Sequence, residues 1–242
     1  MKVDLVLITK IDSENRLRLL EQTVRSLVLN TNMKLVNRLV WVDDGSEMLQ
    51  DVYDVSNREF MQKIIGLEYV TMYISDTRLG VGGAKNKGVE IHKKAGRGDY
   101  LYFMDADVLF TDLWLDRLLA YFDGFGEEFK IIGGGIHPFL QPRANEGYPN
   151  LTSHDAVSGW SWLLSYETWD RFGKLADNAL GTGKSEDWEY CQRIRNAGYK
   201  VGCVQPQIIA HCGMTNTEGI DIGGRKESEI LARSIKSDVI LL

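Results

Sequence analysis

Asp105 and Asp107 bracket Ala106 at the end of the apolar run Tyr100–Met104. In extended backbone alternate side chains share a side, so both carboxylates face one way with their Cα atoms about 7 Å apart. Such a pair can share one divalent ion, directly or through a ribose and water. A diphosphate leaving group needs that ion, because charge builds on its oxygens as a glycosidic bond breaks. By itself the triplet is equally a solvated strand end. A late imidazole adds weight: His211, within Ile208-Ile209-Ala210-His211-Cys212-Gly213, would complete with Asp107 a mixed carboxylate and histidine site for Mn²⁺ or Mg²⁺. Taken alone, His211 reads more readily as a hydrogen-bonded, partly buried histidine than as a ligand, and Cys212 as a core thiol than as a soft ligand.

Further polar groups fall at comparable places. Gly80, Gly82 and Gly83 form a turn before a helix that begins near Ala84, an arrangement that can offer backbone N–H groups and a positive helix end to phosphate, with Lys85 and Lys87 adding charge. The turn matches neither a dinucleotide fingerprint nor a Walker loop. Asp43 and Asp44 end a second apolar run and could accept from a base N–H or a ribose hydroxyl, although Asp-Asp-Gly-Ser also makes an Asx turn. Arg78 could stack on a base or meet phosphate, and Thr9 could contact the base or cap its strand. Glu186-Asp187 opens a helix defined by Trp188, Cys191 and Ile194, where acids favour the helix end. Asp187 could instead accept the proton of an attacking hydroxyl. Trp160, Trp162 and Trp188 are candidate platforms for a sugar or parts of the core.

The elements that must position these groups alternate. Val3–Thr9 reads as a buried strand; Leu17, Leu20, Val24, Leu27 and Val28 then recur at helical spacing behind a cap at Ser13. Strands follow at Leu39–Val42, Glu68–Ile74 and Tyr100–Met104, each delivering polar residues at its carboxyl end, with a helix after Gly83. This is the pattern of a mostly parallel sheet with a ligand crevice along one edge. Further on, Leu118, Leu119 and Phe122 mark another helix; Ile131–Ile136, Ala156–Leu164 and Lys200–Val204 read as strands, and Glu186–Ala197 as a helix stopped by Gly198. The Gly-, Pro- and Asn-rich segment Pro138–Asp155 reads as a functional loop.

Composition bounds the partners. The 242 residues fit one medium domain, and 44% apolar content fills a core. Acids exceed bases 34 to 28, for a net charge of -6, the opposite of a general nucleic-acid surface. Cys191, Cys203 and Cys212 form no CxxC pair, so reduced thiols in a cytoplasmic protein are the simpler reading. The run Val3–Thr9 is too short for a membrane span and is soon followed by the polar Asp12–Arg16, so no stable membrane insertion is expected.

VDDGS (Val42–Ser46), RLGVGGAKNKG (Arg78–Gly88), FMDADV (Phe103–Val108), SGWSWLLSYETWDRFG (Ser158–Gly173) and EDWEYCQRIRNAGYK (Glu186–Lys200) occur in an order that resembles the GT-A fold glycosyltransferases, the family 2 type above all, from Val3 to about Gly213. The resemblance implies an α/β fold: a GT-A type, mostly parallel, Rossmann-like sheet with flanking helices and a smaller acceptor-side region. It would form a single domain over 1–242, with a nucleotide-sugar-binding half at about 1–110 and an acceptor-side half at about 111–242.

It further implies a nucleoside diphosphate sugar as donor, with a uridine nucleotide favoured. Thr9, Asp43, Asp44, Arg78, Gly82, Lys85 and Asp105 would contact the donor, Asp107 and His211 the metal, and Trp160 and Trp188 the acceptor. Asp187, beside Glu186 in the acidic pair, looks like the catalytic base of inverting members. Two features depart from the family pattern: Ala84-Lys85-Asn86 stands for Ala-Arg-Asn, and the first strand lacks the common proline and Tyr-Asn pair. The acceptor stays open among a glycan, a small molecule, a protein side chain and a modified nucleobase. Gly213–Gly224, with Arg225 and Lys226, is a candidate lid. A nucleotidyltransferase is the competing enzyme, but it would place its glycine-rich loop directly after the first strand, where Leu7-Ile8-Thr9-Lys10-Ile11 has none. A noncatalytic sugar- or nucleotide-binding module is the competing non-enzyme.

Overall fold

The computed structural model describes residues 1–56, 69–135, 148–176 and 186–212. The expected lid at Gly213–Gly224 and most of the Pro138–Asp155 loop lie outside the described residues.

β1 (Val3–Thr9) is buried along its whole length, as expected of a central strand covered on both faces. Leu5 and Leu7 face one layer of core with α1 (Glu14–Asn30), and Val6 and Ile8 face the other with α3 (Gly80–Ala95). Each fully buried aliphatic side chain of this kind contributes about 1.5–3 kcal/mol. α1 starts where the sequence places it: the Ser13 hydroxyl accepts from the Arg16 amide. β2 (Val36–Asp43) and β4 (Tyr100–Asp105) flank β1 in parallel, and β3 (Val70–Ile74) pairs with β2. α2 (Leu49–Ser56) lies between β2 and β3 in the chain.

Beyond β4 the sheet changes sense. β8 (Ser161–Ser165) runs antiparallel to β4, β6 (Phe129–Gly133) antiparallel to β8, β9 (Lys200–Val204) parallel to β6, and β7 (Leu151–Ser153) antiparallel to β9. The order is β3-β2-β1-β4-β8-β6-β9-β7, one eight-stranded sheet through both halves of the chain. β5 (Val108–Phe110) and β10 (Ile209–His211) form a separate antiparallel ribbon. α4 (Trp114–Phe125), α5 (Tyr166–Phe172) and α6 (Glu186–Asn196) complete the helices among the described residues. None of these is long and apolar enough to cross a membrane.

Two readings need adjusting. Ala156–Gly159 precede the strand, which starts only at Ser161, and the strand expected at Ile131–Ile136 is Phe129–Gly133 in its described part. What matters for chemistry is alignment. Thr9 pairs with Asp43, Asp43 with Ile74, and Ile8 with Asp105, so the carboxyl ends of β1, β2 and β4 deliver their polar residues to one edge.

Candidate active site

The Asp105-Ala106-Asp107 turn is held from two sides. Thr23, on the buried face of α1, donates to the Ala106 carbonyl at 2.9 Å and accepts from the Val108 amide at 3.0 Å. On the other side, the β5–β10 ribbon sets His211 opposite Val108, and the Cys212 amide donates to the Asp107 carbonyl at 2.7 Å. A residue 104 positions later thereby reaches the turn: His211 Nε2 lies 3.1 Å from Asp107 Oδ1. Ligand atoms of Asp105, Asp107 and His211 all lie within 4.8 Å of one another.

Among the described residues this trio keeps polar atoms unsatisfied. Asp105 Oδ1 and His211 Nδ1 are buried with no hydrogen-bond partner among the described residues, which is costly unless something else supplies the contact. One imidazole and two carboxylates suit Mn²⁺ or Mg²⁺, so the residues fit the metal that the motif implies. Electrostatics agree. Burial pushes the Asp105 carboxyl up to about 6; Lys85 works against that shift and Asp107 adds to it. Burial also acts to raise Asp107, but the adjacent His211 more than offsets it and holds the carboxyl low. Conversely, burial disfavours the charged His211, and Asp107 outweighs burial, so the imidazole sits above its ordinary value. Both shifts favour the charged forms of the two partners, and a divalent ion bound by the imidazole would compete with its proton.

A cleft of ≈ 290 Å³ opens beside these residues, lined on its other walls by Thr9, Lys10, Arg16, Asp44 and Val81 among others. The expected donor contacts divide here. Thr9 and Asp44 reach the cleft, but their polar atoms already have work. The Thr9 hydroxyl donates to Asp43 and accepts from the Trp41 indole, both at 2.9 Å. Asp44 accepts from the amides of Leu79 and Gly80, so it occupies the amino end of α3 that the sequence offered to phosphate. α3 already begins at Gly80, four residues before the expected start. Asp43 is fully buried behind the cleft, accepting from Thr9 and from both the amide and hydroxyl of Ser46. Arg78 is exposed and does not line the cleft. Gly82 serves packing: a Cβ there would lie 2.5 Å from the Ala176 carbonyl oxygen.

The acidic pair arrives from the far half of the chain. Asp187 Oδ2 accepts from the Gly159 amide at 2.9 Å, and Glu186 Oε1 accepts from Lys85 Nζ at 3.1 Å. Lys85 is 1% exposed, with the rings of Phe103 and Trp162 at 6.0 and 5.5 Å from its ammonium. Burial disfavours its charge, yet Glu186, Asp105 and Asp187 together hold it above the ordinary lysine value. Lys85 therefore sits beneath the cleft rather than in it.

The sequence profile described as Glycosyl transferase family 2 matches residues 11–152, more than half of the chain. The chain belongs to glycosyl transferase family 2. Its fold is similar to that of GalNAc-T7 solved with UDP, GalNAc and Mn²⁺ (TM-score 0.64, 18% identity, 87% of this chain and 43% of that one). It is also similar to the mannosyltransferase PcManGT from Pyrobaculum calidifontis solved with GDP-Man and Mn²⁺ (TM-score 0.61, 15% identity, 85% of this chain and 54% of that one). The chain thus spans about half the length of those two. Comparison with curated proteins finds no match.

In this family 2 chain the two tryptophans expected on the acceptor side are not open platforms. Trp160 is 4% exposed and its indole lies 5.1 Å from the His211 ring at an interplanar angle of 6°, so it backs the proposed metal ligand. Trp188 is half-buried and packs against the core layer on the α3 side of the sheet. Sequence reasoning missed Lys10 and Arg16 in the cleft wall and Thr23 behind the turn. The signal for the first two was available: both follow the carboxyl end of β1, where a parallel sheet places its ligands. Thr23 carried none, since a threonine inside an amphipathic helix shows its target only once the helix is docked.

Proposed function

We propose that the chain transfers a sugar from a nucleoside diphosphate sugar, with a uridine nucleotide favoured, to an acceptor hydroxyl with inversion. The observation that carries this reading is the convergence of Asp105, Asp107 and His211 at the carboxyl edge of the sheet, with Asp105 Oδ1 and His211 Nδ1 buried and unpartnered among the described residues. The UDP and GDP-Man ligands of the similar folds, each with Mn²⁺, support a sugar nucleotide as the donor class. A divalent ion held by Asp107 and His211 would neutralise charge on the diphosphate as the glycosidic bond breaks.

The remaining roles belong to the chain's own groups. Asp105 faces the ribose. Thr9 and Asp44 form the wall against which the nucleoside rests, with Asp43 bracing Thr9 from behind and the first turn of α3 at Gly82 packed beyond it, while Arg78, exposed outside the cleft, would meet only a base that extends past that wall. Lys10 and Arg16 place cations at the cleft, where diphosphate brings negative charge. Asp187, hydrogen-bonded to the Gly159 amide, accepts the proton of the acceptor hydroxyl as that oxygen attacks the sugar carbon. The hydroxyl acidifies as the new bond forms, so the base need not be strong. Three buried free thiols fit a cytoplasmic setting.

The test is a screen of nucleotide sugars for Mn²⁺-dependent binding and for release of the nucleoside diphosphate, which needs no knowledge of the acceptor. Binding and slow hydrolysis of at least one donor are expected. Failure of every donor to bind with Mn²⁺ present contradicts the reading.

A further inference from the structure

Two pairs of carboxylates approach one another from opposite halves of the chain: Asp105 and Asp107 from the strand-end turn that lines the cleft, Glu186 and Asp187 from the first turn of α6, with Lys85 among them. Carboxylates so placed repel one another and raise one another's proton affinity. Lys85 stands between the two pairs. Its ammonium is fully buried, bonds Glu186 Oε1 at 3.1 Å, and is near enough to Asp105 and Asp187 for both to favour its charge. A buried ammonium is retained only where its surroundings hold it charged. The backbone is shaped around this cation: a Cβ at Gly159 would lie 2.5 Å from Lys85 Nζ and 3.3 Å from both Asp187 Cβ and Glu186 Oε1, while the Gly159 amide itself binds Asp187. Any other residue at 159 would have to push the ammonium or the acids aside.

We infer that Lys85 is a positioning residue that couples the acidic pair of α6 to the Asp105-Ala106-Asp107 turn, fixing Glu186 directly and Asp187 through it, rather than a ligand of the donor phosphates. This rests on the proposed glycosyl transfer. Removing the ammonium leaves Glu186 unpaired and unbalanced against Asp105, so the first turn of α6 shifts and Asp187 loses its place. The donor cleft, whose wall Lys85 does not form, stays intact.

The experiment compares the full-length parent with Lys85→Met, Glu186→Gln, the double variant and Gly159→Ala. It measures UDP affinity with saturating Mn²⁺, Mn²⁺-dependent release of UDP from a UDP-hexose the parent accepts, and melting temperature. Lys85→Met is expected to keep UDP affinity within about threefold while turnover falls about 10–100-fold, the range of a coupled pair. Glu186→Gln in that background should restore part of the loss, because a neutral amide no longer needs the cation. Gly159→Ala, which leaves every charged group in place, should repeat the turnover loss without the affinity loss, and it serves if Lys85→Met fails to fold. Three results overturn the inference: UDP affinity falling in parallel with turnover in Lys85→Met, additive effects in the double variant, or variants that melt earlier yet turn over normally per folded molecule. A parent that releases no nucleoside diphosphate from any sugar nucleotide overturns the proposed glycosyl transfer itself, and one that accepts another base is assayed with that nucleotide in place of UDP.

Discussion

The two ends of the sheet each bury aspartate beside a histidine, and they treat the carboxylate in opposite ways. At the amino end, Asp4 in β1 is fully buried and saturated: it accepts from Asn37 Nδ2 at 2.7 Å, the Gly98 amide at 2.9 Å and the Tyr166 hydroxyl at 2.6 Å. His92 stands 3.4 Å away, its other nitrogen donating to the Leu5 carbonyl at 3.0 Å. At the carboxyl end, Asp105 Oδ1 and His211 Nδ1 are as inaccessible, yet among the described residues nothing bonds them. Burial therefore does not mark the functional end. An unpartnered imidazole nitrogen does not mark it either, since His92 Nδ1 also lacks a hydrogen-bond partner among the described residues; the mark is the carboxylate, filled in Asp4 and left with a free oxygen in Asp105 at the edge of a cleft.

The comparison breaks most visibly if the unspent end proves indifferent to its acids. Asp187→Asn should lower turnover by about 10²–10⁴-fold while UDP and Mn²⁺ binding persist, the scale of losing a general base. Simple loss of an acid at a helix end would instead cost modest stability with normal turnover of the folded fraction. Single-turnover rate and melting temperature on one sample separate the two.

The saturated end should respond in the opposite currency. Asp4→Ala strands the donors of Asn37, Gly98 and Tyr166 in the interior, and urea unfolding should show a loss of about 3–5 kcal/mol, as when one partner of a buried charged network is removed. Turnover per folded molecule should stay within about twofold of the parent. A large activity loss without a stability loss would erase the distinction between the ends.

The smallest effect concerns the cleft wall. Arg16 is about half exposed and pairs loosely with Asp12 at 3.5 Å, so its contribution to a bound diphosphate is screened. Arg16→Ala should weaken UDP binding about fivefold at low salt, equivalent to about 1 kcal/mol, and less as salt is added. A salt-independent loss would mean that Arg16 acts through packing.

The parallel strands were legible because apolar runs such as Val3–Thr9 end abruptly in polar residues, and the Asp105, Asp107 and His211 set because each type suits one ion. The β5–β10 ribbon was not: three residues per strand, paired across about a hundred positions, leave no periodicity to read. The α3 entrance misled for a related reason. Gly80, Gly82 and Gly83 suggest an open turn, but Asp44 already takes the amides there, and only the folded register brings it within reach. Lys85 looked like a phosphate cation because a lysine after a glycine turn is usually exposed. Its burial depends on Gly159 and Glu186, which approach from the other half of the chain.

The central claim is that Asp105, Asp107 and His211 form a metal-dependent donor site. Calorimetric titration of UDP into the full chain, with Mn²⁺ and then with chelator, tests it most directly, with Asp107→Asn as the paired sample. Binding with Mn²⁺ that weakens by about 100-fold or more in chelator and in Asp107→Asn, with the variant still folded at the temperature of the titration, is the expected result. Equal UDP affinity with and without Mn²⁺, or an Asp107→Asn variant that binds as the parent does, would contradict it.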